Sequence, residues 1–128
     1  MPTVLVVDDH SVVRNAIRTA FESVRGLVVC EAVNGHDAIE KARQLRPDAV
    51  VLDFSMPTLN GLQAARILKK LMPAVPLFML TALYSSQLNS EARAAGISSV
   101  YAKGGDLSAL VNQIRSVVAV VREPQETL

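Results

Sequence analysis

Five short apolar runs alternate with five segments whose apolar residues recur every three or four positions, and that alternation leaves few folds open to the chain. Thr3 to Val7 is the first run. From Ser11 onward, Val12, Val13, Ala16, Ile17, Ala20, Phe21 and Val24 follow at helical spacing. Leu27 to Val33 reads as a second strand, and Asn34 or Gly35 opens a helix with the inward stripe Ala38, Ile39, Ala42 and Leu45. Pro47 stops that helix. Asp48 to Leu52 is a third strand, nearly all apolar, as a strand covered on both faces by helices must be. After the loop Phe54 to Asn60, a helix runs from about Gly61 to Met72, and Pro73 and Pro76 separate it from a fourth strand, Leu77 to Leu80. Tyr84 to Ala95 is a weaker helix closed by Gly96, and Ser98 to Ala102 is a fifth strand. The last helix, Asp106 to about Arg122, carries the most regular stripe: Leu110, Val111, Ile114, Val117, Val118 and Val121. Pro124 ends it, and Gln125 to Leu128 reads as a frayed tail.

Short loops between these elements imply right-handed crossovers and an α/β fold of the (βα)5 type, a parallel sheet between two helix layers. A chain of 128 residues, half of them apolar, suits one domain with one sizeable core, expected over residues 1–122 with a polar tail at 123–128. Thirteen basic against twelve acidic side chains leave a net charge of +1, so no bulk field steers the chain onto nucleic acid or a membrane. The absence of Trp, with two Tyr and three Phe, also argues against a base-stacking surface. Cys30, the one cysteine, supports neither a disulfide framework nor a metal site and is expected to pack as a small hydrophobe. No apolar stretch approaches the roughly 20 residues that span a bilayer, and Asp8 and Asp9 interrupt the N-terminal run too early for a signal peptide. The expectation is a cytoplasmic protein with protein partners, no membrane and no direct nucleic-acid binding.

The strand ends carry the chemistry. Asp8 and Asp9, Asp53, Thr81 and Lys103 each follow the last apolar residues of strands one, three, four and five, and in a parallel sheet those ends share one rim. Any one of them alone reads better as a solvated loop residue. Three carboxylates within about 5 Å of one another repel by several kcal/mol at an effective dielectric near 20, a cost that a divalent cation removes. Hard oxygen donors, with no His or Cys expected among them, suit Mg²⁺, with Mn²⁺ as the alternative. Asp9 and Asp53 would bind it directly and Asp8 through water. Lys103 offers a point charge and Thr81 a hydroxyl donor, both suited to phosphoryl oxygens. His10 and His36 read as solvated helix-start residues without catalytic roles, and Gly61 as a turn glycine that lets the loop enter its helix.

Val6-Val7-Asp8-Asp9-His10, Asp53-Phe54-Ser55-Met56-Pro57 with Gly61 following, Thr81-Ala82 and Lys103 together resemble the receiver domain of two-component response regulators, over about Thr3 to Arg122. Asp9-His10-Ser11-Val12-Val13-Arg14 resembles in particular the receivers that precede LuxR-type helix-turn-helix domains. The resemblance implies a flavodoxin-like sheet of order 2-1-3-4-5 and a phosphoryl group passed from a sensor histidine kinase or histidine phosphotransfer protein to Asp53. Thr81 and Lys103 would clamp its oxygens, and the Ser55 backbone carbonyl would complete a metal site with Asp8, Asp9 and Asp53. It further implies slow self-catalysed dephosphorylation, with the side chains of Ser55 and Leu83 bordering the water path and Leu83 hindering and drying it. Output would go to another protein or a further domain, and the outer face of the last helix can support a homodimer.

Two positions depart from the family pattern. Val100 stands where an aromatic switch residue usually lies, and Tyr101, one residue later, should face the opposite side of the sheet unless a bulge shifts the register. Gly104 stands where many relatives have proline after the lysine. Rival functions fit less well. A phosphatase of the haloacid dehalogenase type needs a second Asp two residues after the nucleophile, where this chain has Ser55. A nucleotide binder would need a glycine-rich loop after strand one. A phosphorylation-independent receiver-like interaction module remains the alternative, since Val100 leaves room for an altered output.

Overall fold

The computed structural model describes residues 1–122, with side-chain surroundings through residue 118; the stop at Pro124 and the tail expected over 123–128 lie outside the described residues. The strands are β1 (Thr3–Val7), β2 (Val28–Ala32), β3 (Ala49–Asp53), β4 (Leu77–Thr81) and β5 (Ile97–Ala102). Between and after them come α1 (Ser11–Phe21), α2 (Gly35–Leu45), α3 (Gly61–Leu71), α4 (Ser86–Ala94) and α5 (Ser108–Arg122). All strand pairs are parallel, in the order β2-β1-β3-β4-β5, the expected (βα)5 arrangement.

Local chemistry sets the helix starts. Asn34 caps α2 by accepting from the Asp37 amide at 2.8 Å. Asn60 and Gln63 form a reciprocal capping box on α3, each bond 2.9 Å. The last two helices begin two residues later than the apolar spacing predicts, because Ser85 is spent on capping the Leu88 amide and Asp106 on the Ser108 amide and hydroxyl.

Alternation along each strand divides the core into two. Leu5, Val7, Val50, Leu52 and Met79 face α2, α3 and α4, whereas Val4, Val6, Val51, Phe78 and Leu80 face α1 and α5. Cys30 packs at the edge of the first cluster, as a small hydrophobe does. Three residues of the apolar stripes do not point inward. Val12, 78% exposed, and Ala16, also exposed, line a surface pocket with Gly104 and Leu107 instead. Leu45 is also exposed, because it ends α2 just before Arg46 turns the chain with φ +50°.

A bulge in β5 settles the direction of its side chains. Leu77 pairs with Ile97 but Phe78 with Ser99, so one extra residue is taken up before Ser99. Ile97 and Val100, three apart, consequently face the same cluster, while Tyr101 packs against the α1 and α5 side. The bulge precedes both Val100 and Tyr101 and leaves their opposition intact. Gly104 follows with φ +83°, a conformation closed to proline.

Candidate functional site

Strand register builds the site. Val7 pairs with Leu52, Asp53 with Leu80 and Thr81 with Ala102, so the residues at and just after these pairs emerge on one rim. Lys103 Nζ lies 3.0 Å from Asp8 Oδ2 and 3.1 Å from Asp53 Oδ1, holding the two carboxylates to one cation. Asp8 and Asp53 are almost fully buried, at 1% and 2% exposure, while Asp9 stands at the mouth. Burial pushes the Asp53 carboxyl above its ordinary range, and the Asp8 charge adds to this; hydrogen bonding to Lys103 opposes without prevailing. Burial also works against the Lys103 ammonium, but the hydrogen bonds to Asp8 and Asp53 outweigh it and leave Lys103 above its ordinary value.

The remaining predicted residues contribute through the backbone or adjoin the cluster. The Ser55 amide donates to Asp53 Oδ1 at 3.3 Å, so the turn after β3 is tied to the carboxylate, while the Ser55 side chain points to solvent. Thr81 is buried, and its Oγ1 accepts from the Leu83 amide at 3.1 Å. Its carbonyl accepts from the Lys103 amide at 2.7 Å, linking the ends of β4 and β5. Leu83 itself is 80% exposed.

The carboxylates fit a hard divalent cation. Asp53 Oδ2 is buried and has no hydrogen-bond partner among the described residues, a costly state for a carboxylate oxygen unless an ion or solvent reaches it. Asp8, Asp9, His10 and Asp53 each bring a donor atom into a group no more than 4.8 Å across.

His10 is a correction to the sequence reading, which expected no histidine among the oxygen donors. Its Nδ1 lies 3.0 Å from Asp9 Oδ1 and 3.2 Å from Asp8 Oδ1. A residue directly after two acids at a strand end can fold back over them, and that adjacency was the available signal. His36 is exposed, as expected. Gly61 needs no unusual φ; a Cβ there would come 2.6 Å from the Asp53 carbonyl oxygen and 2.9 Å from Phe54 Cα. Its role is close approach of α3 to the end of β3 rather than turn freedom.

Arg14 supports the rim from α1, a role that helical spacing alone does not predict. Its Nη1 donates to the Asp8 carbonyl at 2.7 Å, while its Nε and that of Arg18 hold the two oxygens of Glu31 at 2.7 and 2.8 Å. These charge-assisted hydrogen bonds from Arg14 and Arg18 pull the Glu31 carboxyl below its ordinary range. A lone glutamate in an otherwise apolar edge strand, with two arginines four residues apart on the preceding helix, was the signal.

Comparison with known proteins agrees with this geometry. Residues 4–115 match the family model of the response regulator receiver domain. The chain is 37% identical over 120 residues to the response regulator GacA of Pseudomonas viridiflava, covering 93% of this chain and 56% of that protein. It is 38% identical over 118 residues to the response regulator UvrY of Escherichia coli K12, covering 91% and 54%. The chain thus spans about half the length of the curated relatives it matches. Among solved structures, the receiver domain of the Francisella response regulator 1452 superposes with a TM-score of 0.85 at 27% identity, covering 94% of this chain and 99% of that one. A LuxR-family two-component response regulator from Aurantimonas sp. SI85-9A1 gives 0.85 at 30% identity, covering 92% and 85%. The chain belongs to the response regulator receiver domain family.

Proposed function

We propose that this receiver takes a phosphoryl group on Asp53 from the phosphohistidine of a sensor histidine kinase or histidine phosphotransfer protein. The observation that carries this is the asymmetry of the Asp53 carboxylate: Oδ1 is engaged by Lys103 and the Ser55 amide, while Oδ2 is buried and has no hydrogen-bond partner among the described residues. An Asp53 oxygen attacks phosphorus, the P–N bond breaks, and the imidazole leaves with a proton, giving an acyl phosphate. Lys103 compensates charge on the phosphoryl oxygens, and the Thr81 hydroxyl, whose oxygen already accepts from Leu83, keeps its hydrogen free to donate.

Asp9 and Asp53, with Asp8 through water and the Ser55 carbonyl, would hold Mg²⁺, or Mn²⁺ in its place. When bound, that ion supplies positive charge against the developing negative charge of transfer. Among the described residues, no helix is long and apolar enough to cross a membrane. The receiver domain is assigned residues 1–122.

Incubation with acetyl phosphate and Mg²⁺, followed by intact mass measurement, tests the assignment. A phosphoryl adduct is expected in the wild type and not in Asp53→Ala. No adduct in the wild type, together with no response to beryllofluoride, would instead favour a phosphorylation-independent interaction module. Leu83 borders the water path to the acyl phosphate, so Leu83→Glu is expected to shorten the phosphoryl half-life. Identical half-lives would remove that role.

A further inference from the structure

His10 is the N-cap of α1, a position where Ser, Asp or Asn ordinarily satisfies an amide, yet its side chain makes no capping bond. The ring turns back over the acidic rim, and Nδ1 approaches one oxygen each of Asp8 and Asp9. With Asp53 these groups offer one imidazole nitrogen and three carboxylates within 4.8 Å. A second observation points to a ligand here: Asp53 is 2% exposed, and its Oδ2 has no hydrogen-bond partner among the described residues.

We propose that His10 makes this rim a mixed nitrogen and oxygen site, in which Nδ1 joins Asp9 and Asp53 as a direct ligand for a first-row transition divalent ion of the Ni²⁺, Co²⁺ and Zn²⁺ class. The inference rests on the reading that the rim carboxylates hold a divalent cation, and adds a nitrogen donor to it. Mg²⁺ takes oxygen donors and keeps its waters, so it gains little from an imidazole. Later first-row ions bind imidazole well, and their affinity for a given site rises along the series toward Cu²⁺. The ring is 64% exposed, so it can present the Nδ1 lone pair to an ion while Nε2 carries its proton into solvent. Nδ1 lies 3.2 Å from Asp8 Oδ1 and 3.0 Å from Asp9 Oδ1, so the nitrogen that would coordinate already faces the carboxylates it would join. His10 thereby sets which ion occupies the rim, and transition ions compete there with Mg²⁺.

Isothermal titration of the full chain with Ni²⁺ and with Mg²⁺, in wild type, His10→Ala, His36→Ala and Asp53→Asn, tests this. His10→Ala is expected to weaken Ni²⁺ by about tenfold or more while leaving Mg²⁺ within about twofold. His36→Ala should change neither, and Asp53→Asn should weaken both. In the wild type, Co²⁺ should give visible absorption bands that shift in His10→Ala. An equal loss of both ions in His10→Ala would overturn the proposal, since the ring would then act only by orienting carboxylates. Retention of Ni²⁺ binding by Asp53→Asn would overturn it too, because the ion would sit elsewhere. A wild type that binds no Mg²⁺ yet shows Ni²⁺ binding dependent on both His10 and Asp53 would support this site while removing the Mg²⁺ assignment made above.

Discussion

Replacing Asp53 with Asn should make the metal-free protein more stable, although it removes one of the pairs that Lys103 makes. The Asp8 and Asp53 donor atoms lie no more than 4.8 Å apart, so their repulsion is at least about 3.5 kcal/mol at an effective dielectric near 20. Lys103 at 3.1 Å returns about 5 kcal/mol to Asp53 on the same scale. These charge terms largely cancel, and what remains is the burial of an ionised group, which costs several kcal/mol. The raised position of the Asp53 carboxyl, with burial as its largest cause, gives the same sign. An asparagine keeps a carbonyl oxygen for Lys103 and removes the charge, so Asp53→Asn should gain about 1–3 kcal/mol at neutral pH and low salt.

The pH dependence has a definite direction. With the folded value raised above the unfolded one, the penalty of the ionised carboxylate is fully present above the folded value. It shrinks as pH falls through that value and disappears near the ordinary value of 3.8. The wild type should therefore approach the variant in acid. Saturating Mg²⁺ should close or reverse the gap at neutral pH, because an ion at 100 times its Kd adds about 2.7 kcal/mol to the form that binds it. Urea unfolding at several pH values, with and without Mg²⁺, measures all of this. A variant no more stable than the wild type in metal-free neutral buffer would refute the view that Asp53 is held charged against its environment.

Glu31→Gln should destabilise the fold by about 1–2 kcal/mol at neutral pH, since Arg14 and Arg18 lose a doubly engaged carboxylate. The lowered Glu31 carboxyl contributes stability that is fully present above its ordinary 4.5 and fades as pH falls through the folded value, so acid unfolding curves of wild type and variant should converge. Gly61→Ala places a methyl 2.6 Å from the Asp53 carbonyl oxygen and should cost about 1–3 kcal/mol in thermal or urea unfolding, with slower phosphoryl uptake. Thr58 has φ +72° in a turn closed by the Leu59 amide on the Pro57 carbonyl at 2.8 Å. Thr58→Gly should therefore stabilise by about 1 kcal/mol, the relief of a strained backbone less the entropy glycine loses, and an unchanged urea midpoint would refute the strain.

The fold was legible because burial on both faces leaves a strand few options. Ala49 to Leu52 and Leu77 to Leu80 are buried throughout, and their sequences are correspondingly apolar. Boundaries were less legible wherever a polar side chain serves a cap instead of a helical turn, as Ser85 and Asp106 do. Asp8, Asp9, Asp53, Thr81 and Lys103 could be grouped from sequence because strand ends share a rim whatever the side chains do. His10 and Arg14 could not be placed that way. Their positions depend on which way a ring and a guanidinium turn after leaving α1, a tertiary choice that periodicity does not encode.

The same distinction divides the site into a fixed part and an adjustable one. The parallel ladder continues one residue beyond the strands: Asp8 donates to the Ala32 carbonyl, Phe54 to that of Leu80 and Lys103 to that of Thr81. The backbones that carry Asp8, Asp53 and Lys103 are thus pinned by the sheet itself, and a register slip of one residue would expose a core face along with the site. Asp9 and His10 have left the ladder and are held by the turn into α1, where the His10 amide bonds Asp8 Oδ1 at 2.9 Å. Adaptation to an incoming ion therefore falls first on Asp9 and His10, whose side chains are the more exposed and whose backbone the sheet does not hold. The buried carboxylates and Lys103 keep the geometry that any charge arriving on Asp53 must meet.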